Sequence, residues 1–550
     1  MRLDRHGWLV ETAAATAVGL LLAVFFTWPA IAHPASTVPG DLGDPLYQAW
    51  QLSWGGHALL HAPLDVWNAN ILFPLDNSLA FSDSLLGYAP LGLVGSGVGA
   101  ALVRYNVVYL LAYTLAFAGT YVLARQLGCG RWAAVFAGVC FAYAPWRFAH
   151  NGHLNILSSG GIPLALACLV RGNGPVKRPR WAVVGWLVAA WQLTLGFGLG
   201  LQFASLMGIL VLLAVGTWFA TGRPPVPRRL LVANAAGLGA FLLVGVLFAL
   251  PYVRAVNDHP EARRSAAEVA LYSPPLRGLV TAPGESRVWG PPSEERRAGL
   301  PAAVEQALFP GLSVLLLAGV GLLAGGWSVR RRIGLAVGTV VATAFAMGTQ
   351  FVGGGRFTYL LLFEHVPGWQ GVRTPGRLIT LVSLGLVLLA ATGVDRLQSL
   401  VRRRAPARVL GALVITFALV EGLNTVGTPS VGPVPSAWRG IRGPVMALPS
   451  DYGNDYAAML WSTEGLPGLV NGTAGFIPRE LERLRAETAA FPDASSVAAL
   501  RAIGVRTVLL DTTRSPGTPW EGAASRAVDG LGISRRDVGS SIVFDLAPGS

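Results

Sequence analysis

The chain has 550 residues, 53% hydrophobic and 13% charged, with a mean hydropathy of +0.51. That is too little charge to cover a soluble protein of this length, and apolar runs of about 20 residues, long enough to cross a bilayer, recur along most of it. The net charge of +13 does not point to nucleic acid, because the basic residues fall in short clusters between apolar runs, the pattern of topology-setting loops.

In chain order, spans are expected at 8–32, 105–125, 132–148, 154–171, 181–197, 200–220, 229–253, 309–327, 332–350, 377–395 and 408–425, about eleven in all. The first ends in Ala30, Ile31 and Ala32, which resembles a signal-peptidase site, but its apolar run is long for a signal peptide and predicts an uncleaved anchor. With the N-terminus cytoplasmic, the short basic loops 124–131, 171–180, 221–229, 328–332 and 395–408 all fall on the inner side. The longer segments 33–104, 254–308 and 351–376 and the tail after 425 then face outward. The stretch 85–103 is apolar but rich in Gly and broken by Pro90. It is expected to be re-entrant or interfacial, as is 356–377, because irregular backbone at membrane depth is tolerated where it packs on protein.

The expected fold is therefore a polytopic all-α membrane protein, residues 1–425, followed by a small extracytoplasmic α/β domain, residues 426–550. Within the latter, 478–491 has an amphipathic helical pattern. Asp493 opens a helix ending at Gly504, and 505–511 and 540–546 read as strands. Cys129, Cys140 and Cys168 lie in or beside apolar runs and are expected to be small core residues without a disulfide. No zinc-type Cys or His spacing, Walker loop or nucleophile elbow is present. The triplet 471–473, "NGT", matches a glycosylation acceptor, at a length close to chance.

Midplane positions are almost free of charge; polar groups gather at the outer boundary instead. That favours surface chemistry on a lipid-borne substrate over ion-coupled transport. The first outer loop carries Asp41, Asp44, Asp76 and Asp83. Asp44 stands before Pro45 and the aromatic stretch containing Trp50 and Trp54; it is either a functional acid or the cap of a helix starting at Pro45. His150, His153 and Asn155 are either helix-end polar residues or groups that bond a sugar or phosphate, or ligate a metal with an aspartate. Glu305 and Gln306 are either a solvated helix start or part of a site. Arg373 and Arg377 lie outside, where the topology rule does not require them. They either snorkel to headgroups or use the guanidinium fork on a lipid phosphate.

These pieces, in order, carry a resemblance. A long first outer loop with an early Asp, "GDPL" (43–46), "HNGHLN" (150–155), "EQALFPG" (305–311), "RTPGR" (373–377) and "NGTAGFIP" (471–478) resemble the GT-C membrane glycosyltransferases, and within them the bacterial YfhO-like branch. The resemblance implies a GT-C-like fold and a sugar donor carried on a polyprenyl phosphate, used at the outer face. It implies Asp44 as catalytic base and Asp83 as the second acid seen in some members.

The function expected is a glycosyltransferase of the cell membrane, inverting, moving sugar to a cell-envelope glycan, lipid or protein acceptor. Asp44 would take the proton and Arg373 and Arg377 would hold the phosphate. Asp83, His150, His153, Asn155 and Glu305 would position substrate, or a divalent metal if one is used. The rivals are a non-catalytic flippase or transporter of lipid-linked sugars, and a polysaccharide polymerase or ligase.

Overall fold

A computed structural model describes residues 5–441 and 443–546. The chain is mostly helical and divides into two compact units. The first comprises residues up to Ile31, Val108–Ala249 and Arg264–Val426; the second comprises Ala32–Val107, Leu250–Arg263 and residues from Gly427 onward.

Helices occupy each of the eleven stretches expected to be spans. Six of them, by length and composition, are long and apolar enough to cross a membrane: Gly7–Phe26, Gly97–Gln126, Leu154–Asn173, Phe197–Ala220, Arg228–Asp258 and Pro375–Leu400. The remaining five are shorter or carry more charge. Arg131–Ala142 and Leu312–Ala324, for example, have 12 and 13 residues, about 18–20 Å at 1.5 Å per residue.

Within the first unit, small residues let backbones approach. Gly321 lies against the Leu389 carbonyl and Gly393 against that of Leu317, so helices Leu312–Ala324 and Ile379–Leu400 pack without intervening side chains. Helix Leu312–Ala324 begins after Gly311, whose φ of 111° excludes most side chains. Its first amides are satisfied by Glu421, which accepts from Leu312 N–H at 2.7 Å, Ser313 N–H at 3.0 Å and the Trp289 indole at 2.9 Å. Glu421 thus serves a helix N-terminus, where an anion is favoured.

In the second unit, helix Asp44–His61 lies against the 3-10 turn Leu86–Leu93. Gly56 and Gly92 meet backbone to backbone there, and a Cβ on either would collide. The stretch expected to be re-entrant is this turn followed by a helix that starts at Gly97. Arg104 ties the turn down, donating to the Val94 and Gly95 carbonyls at 2.6 and 2.7 Å and to Ser53 at 2.6 Å. A four-stranded sheet follows, β1 (Val445–Leu448), β2 (Thr507–Asp511), β3 (Ser534–Val538) and β4 (Ser541–Asp545), in the order β1-β2-β4-β3. β1 and β2 are parallel, with Val445 opposite Thr507; the other pairs are antiparallel. The amphipathic pattern forms helix Arg479–Glu487, and Asp493 caps helix Ala494–Ala502 through the Ser496 amide.

Asn471 is fully buried. Its side chain bridges both backbone groups of Ala447 and donates to Asp455 at 2.8 Å, while Asp455 also takes Arg485 at 2.8 Å. This network explains the "NGT" triplet as a structural device inaccessible to a glycan, since an orphaned buried amide would be costly. Cys129, Cys140 and Cys168 are buried free thiols.

Candidate functional site

The candidate residues fall into one group in each unit. In the second unit, Asp44 is the first residue of its helix, and the cap position belongs to Gly43, which makes no side-chain cap bond. The Asp44 Oδ1 lies 3.2 Å from the Tyr456 hydroxyl, which is itself 2.9 Å from the Tyr452 hydroxyl. Burial first, then the Asp44 charge, pushes the Tyr456 phenol well above its ordinary range, so it stays protonated and donates to the carboxylate. Asp41 spends Oδ1 on the Gly43 amide at 2.7 Å in a local turn.

Asp83 is held through its backbone, its carbonyl accepting from Gln51 at 2.6 Å. Both Asp44 and Asp83 act on the buried Tyr47. Its phenol is pushed far up, chiefly by burial and by Tyr252, with the two carboxylates adding to it. Asp76 is exposed.

In the first unit, the chain leaves helix Arg131–Ala142 and runs through the 3-10 turn Pro145–His150. This irregular stretch is held by Arg147, which is fully buried. Arg147 donates to Ser159 at 3.0 Å and to the Leu157 carbonyl at 2.8 Å, and Tyr113 lies beneath its guanidinium. Tyr109 and Tyr113 both donate to Asn151. The outcome is to present His150 and His153 with ring centroids 5.4 Å apart. Asn155 is buried in the following short helix Leu154–Leu157.

Glu305 faces this pair. Gln306 anchors its turn by donating to the Leu271 and Ser273 carbonyls, both at 2.9 Å. Gly376 leaves room for the Glu305 carbonyl at the next element. Arg377 grips Glu305 with Nη2 at 2.6 Å from Oε1 and Nε at 3.1 Å from Oε2. Burial opposes ionisation of Glu305, but Arg377 and His150 outweigh it and hold the carboxyl at about 2. Burial pushes His150 down to about 3 despite Glu305 nearby, so it is neutral at physiological pH and offers hydrogen bonds, not charge.

The two arginines expected to share one task are thus separated in role: the fork of Arg377 is engaged by a carboxylate. Arg373 lies elsewhere, with Nη1 3.6 Å from Glu268 and its guanidinium 5.2 Å from the Tyr272 ring. Arg264 also approaches Glu268, at 3.5 Å. Two guanidiniums around one carboxylate leave net positive charge. Arg264 and Arg147 were not singled out from the sequence. The "RR" at 263–264 is a signal for the first, while Arg147 lies beside an apolar run and gives none.

A metal does not fit the His150, His153 and Glu305 group. Both Glu305 oxygens are engaged by Arg377, and no cluster of three ligand-type atoms that could hold a metal forms there among the described residues.

No family model and no curated protein matches the sequence significantly. Solved structures do match. The arabinofuranosyltransferase AftD from Mycobacteria aligns over 100% of this chain and 40% of its own at 16% identity, with a TM-score of 0.53. A mutant of that protein aligns at 17% identity over 42% of its length with a TM-score of 0.58. ArnT from Cupriavidus metallidurans, in the apo state, aligns over 99% of this chain and 98% of its own at 14% identity, with a TM-score of 0.48. The chain spans about two-fifths of the length of the AftD structures it matches. At such identities the likeness concerns fold alone, and the chain has a fold similar to that of the arabinofuranosyltransferase AftD.

Proposed function

We propose that the protein is a glycosyltransferase that moves a sugar from a polyprenyl-phosphate carrier to an acceptor hydroxyl at the extracytoplasmic membrane face, with inversion. The observation that carries this reading is the state of Asp44, a half-buried carboxylate at the start of its helix that accepts from a protonated phenol. In a chain whose fold resembles that of an arabinofuranosyltransferase over its whole length, such a group suits a general base. The order of sequence motifs supports the YfhO-like branch. The five basic loops support a cytoplasmic N-terminus and an outward C-terminal domain.

In this reading the acceptor O–H gives its proton to Asp44 as its oxygen attacks the anomeric carbon. The bond from that carbon to phosphate breaks, and its electron pair leaves with the polyprenyl phosphate. Asp83 acts beside Asp44 in aligning the acceptor. Arg373, with Arg264, offers net positive charge of the kind that suits a lipid phosphate. Arg377 is a positioning residue that fixes Glu305, while His150, His153 and Asn155 supply hydrogen bonds for sugar hydroxyls.

The test uses membranes supplied with labelled polyprenyl-phosphate sugar and acceptor. Asp44→Asn should lower transfer by at least about a hundredfold, as loss of a general base does, with thermal stability little changed. Asp41→Asn should stay within about tenfold of wild type, having no such role. Near-normal transfer by Asp44→Asn would remove the base assignment. Translocation of the carrier-linked sugar without any transfer would favour the flippase reading.

A further inference from the structure

A third cluster lies within the second unit and shares no residue with either group above. His259 follows the long helix Arg228–Asp258, Glu261 sits in the turn Pro260–Ala262, and Glu480 belongs to the first turn of helix Arg479–Glu487. His259 is only 7% exposed. Its ring stands edge-on to Phe81, centroids 4.8 Å apart, with Phe476 at 6.0 Å. Its Nδ1 has no hydrogen-bond partner, a costly state for a buried polar atom.

That nitrogen is aimed at two carboxylates. Glu261 Oε1 and Glu480 Oε2 are each 3.7 Å away, beyond hydrogen-bonding reach. One ligand atom from each residue lies within 4.8 Å of the others. Metal–ligand bonds of about 2.0–2.2 Å in tetrahedral array put ligand atoms about 3.3–3.6 Å apart, so small side-chain adjustments would close the set. The Glu261 carboxylate is held in place by the Arg479 backbone amide, which donates to Oε1 at 3.2 Å. The Arg479 guanidinium, 3.9 Å from Glu261 Oε2 and largely exposed, is free to swing aside. One imidazole and two carboxylates suit zinc or its first-row neighbours better than calcium or magnesium, which prefer oxygen throughout.

We propose that His259, Glu261 and Glu480 ligate a divalent transition-metal ion of the zinc class, which ties the start of helix Arg479–Glu487 to the 259–261 segment.

The experiment takes the full chain in detergent, strips it with chelator and dialyses it against Zn2+ at micromolar free concentration. Metal content and amide hydrogen exchange are then measured for wild type, Glu480→Gln and Glu482→Gln. Glu480 is half exposed, so its variant should fold, which a thermal melt checks. Wild type and Glu482→Gln should hold one zinc more per chain than Glu480→Gln, whose affinity falls at least about tenfold. Zinc should slow exchange across 479–487 in the first two proteins and not in Glu480→Gln. The stacked His57–His61 pair is common to all three proteins and drops out of the difference. Equal zinc content in wild type and Glu480→Gln, or zinc uptake that leaves exchange at 479–487 unchanged, would overturn the proposal. Neither measurement depends on sugar transfer.

Discussion

Removing Arg377 should destabilise the protein by stranding a buried carboxylate. Glu305 is 8% exposed, and its two oxygens take the guanidinium of Arg377 at 2.6 and 3.1 Å. Its carboxyl is held at about 2 against an ordinary 4.5. At 1.36 kcal/mol per pH unit, that difference makes the ionised carboxylate's surroundings worth about 3 kcal/mol at neutral pH. Arg377→Ala strands the carboxylate, and breaking a buried pair from one side costs about 3–5 kcal/mol. Glu305→Gln/Arg377→Ala removes the stranded charge and should recover at least about 1 kcal/mol of that loss. Arg377→Lys keeps charge without the fork and should fall between wild type and Arg377→Ala. Denaturant or thermal unfolding in detergent, followed by tryptophan fluorescence, ranks the four proteins. The ranking is the readout, because a chain of two units need not unfold in one step. If Arg377→Ala matches wild type, or the double variant is no better than Arg377→Ala, the stranded-charge reasoning is wrong.

Acid should act in two stages. His150 is held near 3 against an ordinary 6.5, so its unfolded form takes up a proton first and stability falls as pH drops from 6.5 towards 3. Glu305, with its folded value depressed, contributes fully above 4.5 and loses that contribution as pH falls from 4.5 to 2. Stability curves of His150→Gln should therefore be flatter between pH 6.5 and 4.5, and a slope equal to that of wild type would contradict the burial of a neutral imidazole. For phosphate recognition, Arg373→Ala and Arg373→Lys should each weaken donor binding by about one to two powers of ten, the worth of a charge-assisted fork. Unchanged binding in both would return Arg373 to headgroup contact. For topology, single cysteines at Ser328 and Ser525, both exposed, should react with an impermeant reagent from opposite membrane faces. The three native thiols are buried and give little background. Labelling of both from one face would overturn the orientation.

Local pattern was enough to read much of this molecule. Runs of apolar residues marked the stretches that became helices, because a helix needs only near neighbours in sequence. Asp493 announced its cap and Gly504 the end of that helix for the same reason. The polar residues of interest were visible too, since Asp44, His150, Glu305 and Arg373 stand out against an apolar background. Their partners were not. Arg377 meets Glu305 across 72 positions and Tyr456 meets Asp44 across 412, and no periodicity links residues so far apart. Nor did composition reveal that Gly43, not Asp44, holds the cap, that Arg147 braces the His150 turn, or that His259 faces Glu480. Sequence by itself determined which segments are helical and which residue types are available for chemistry. Tertiary structure alone decided which charge is neutralised by a partner and which is left to act, because that depends on burial and on pairings a few ångströms long between segments remote in the chain.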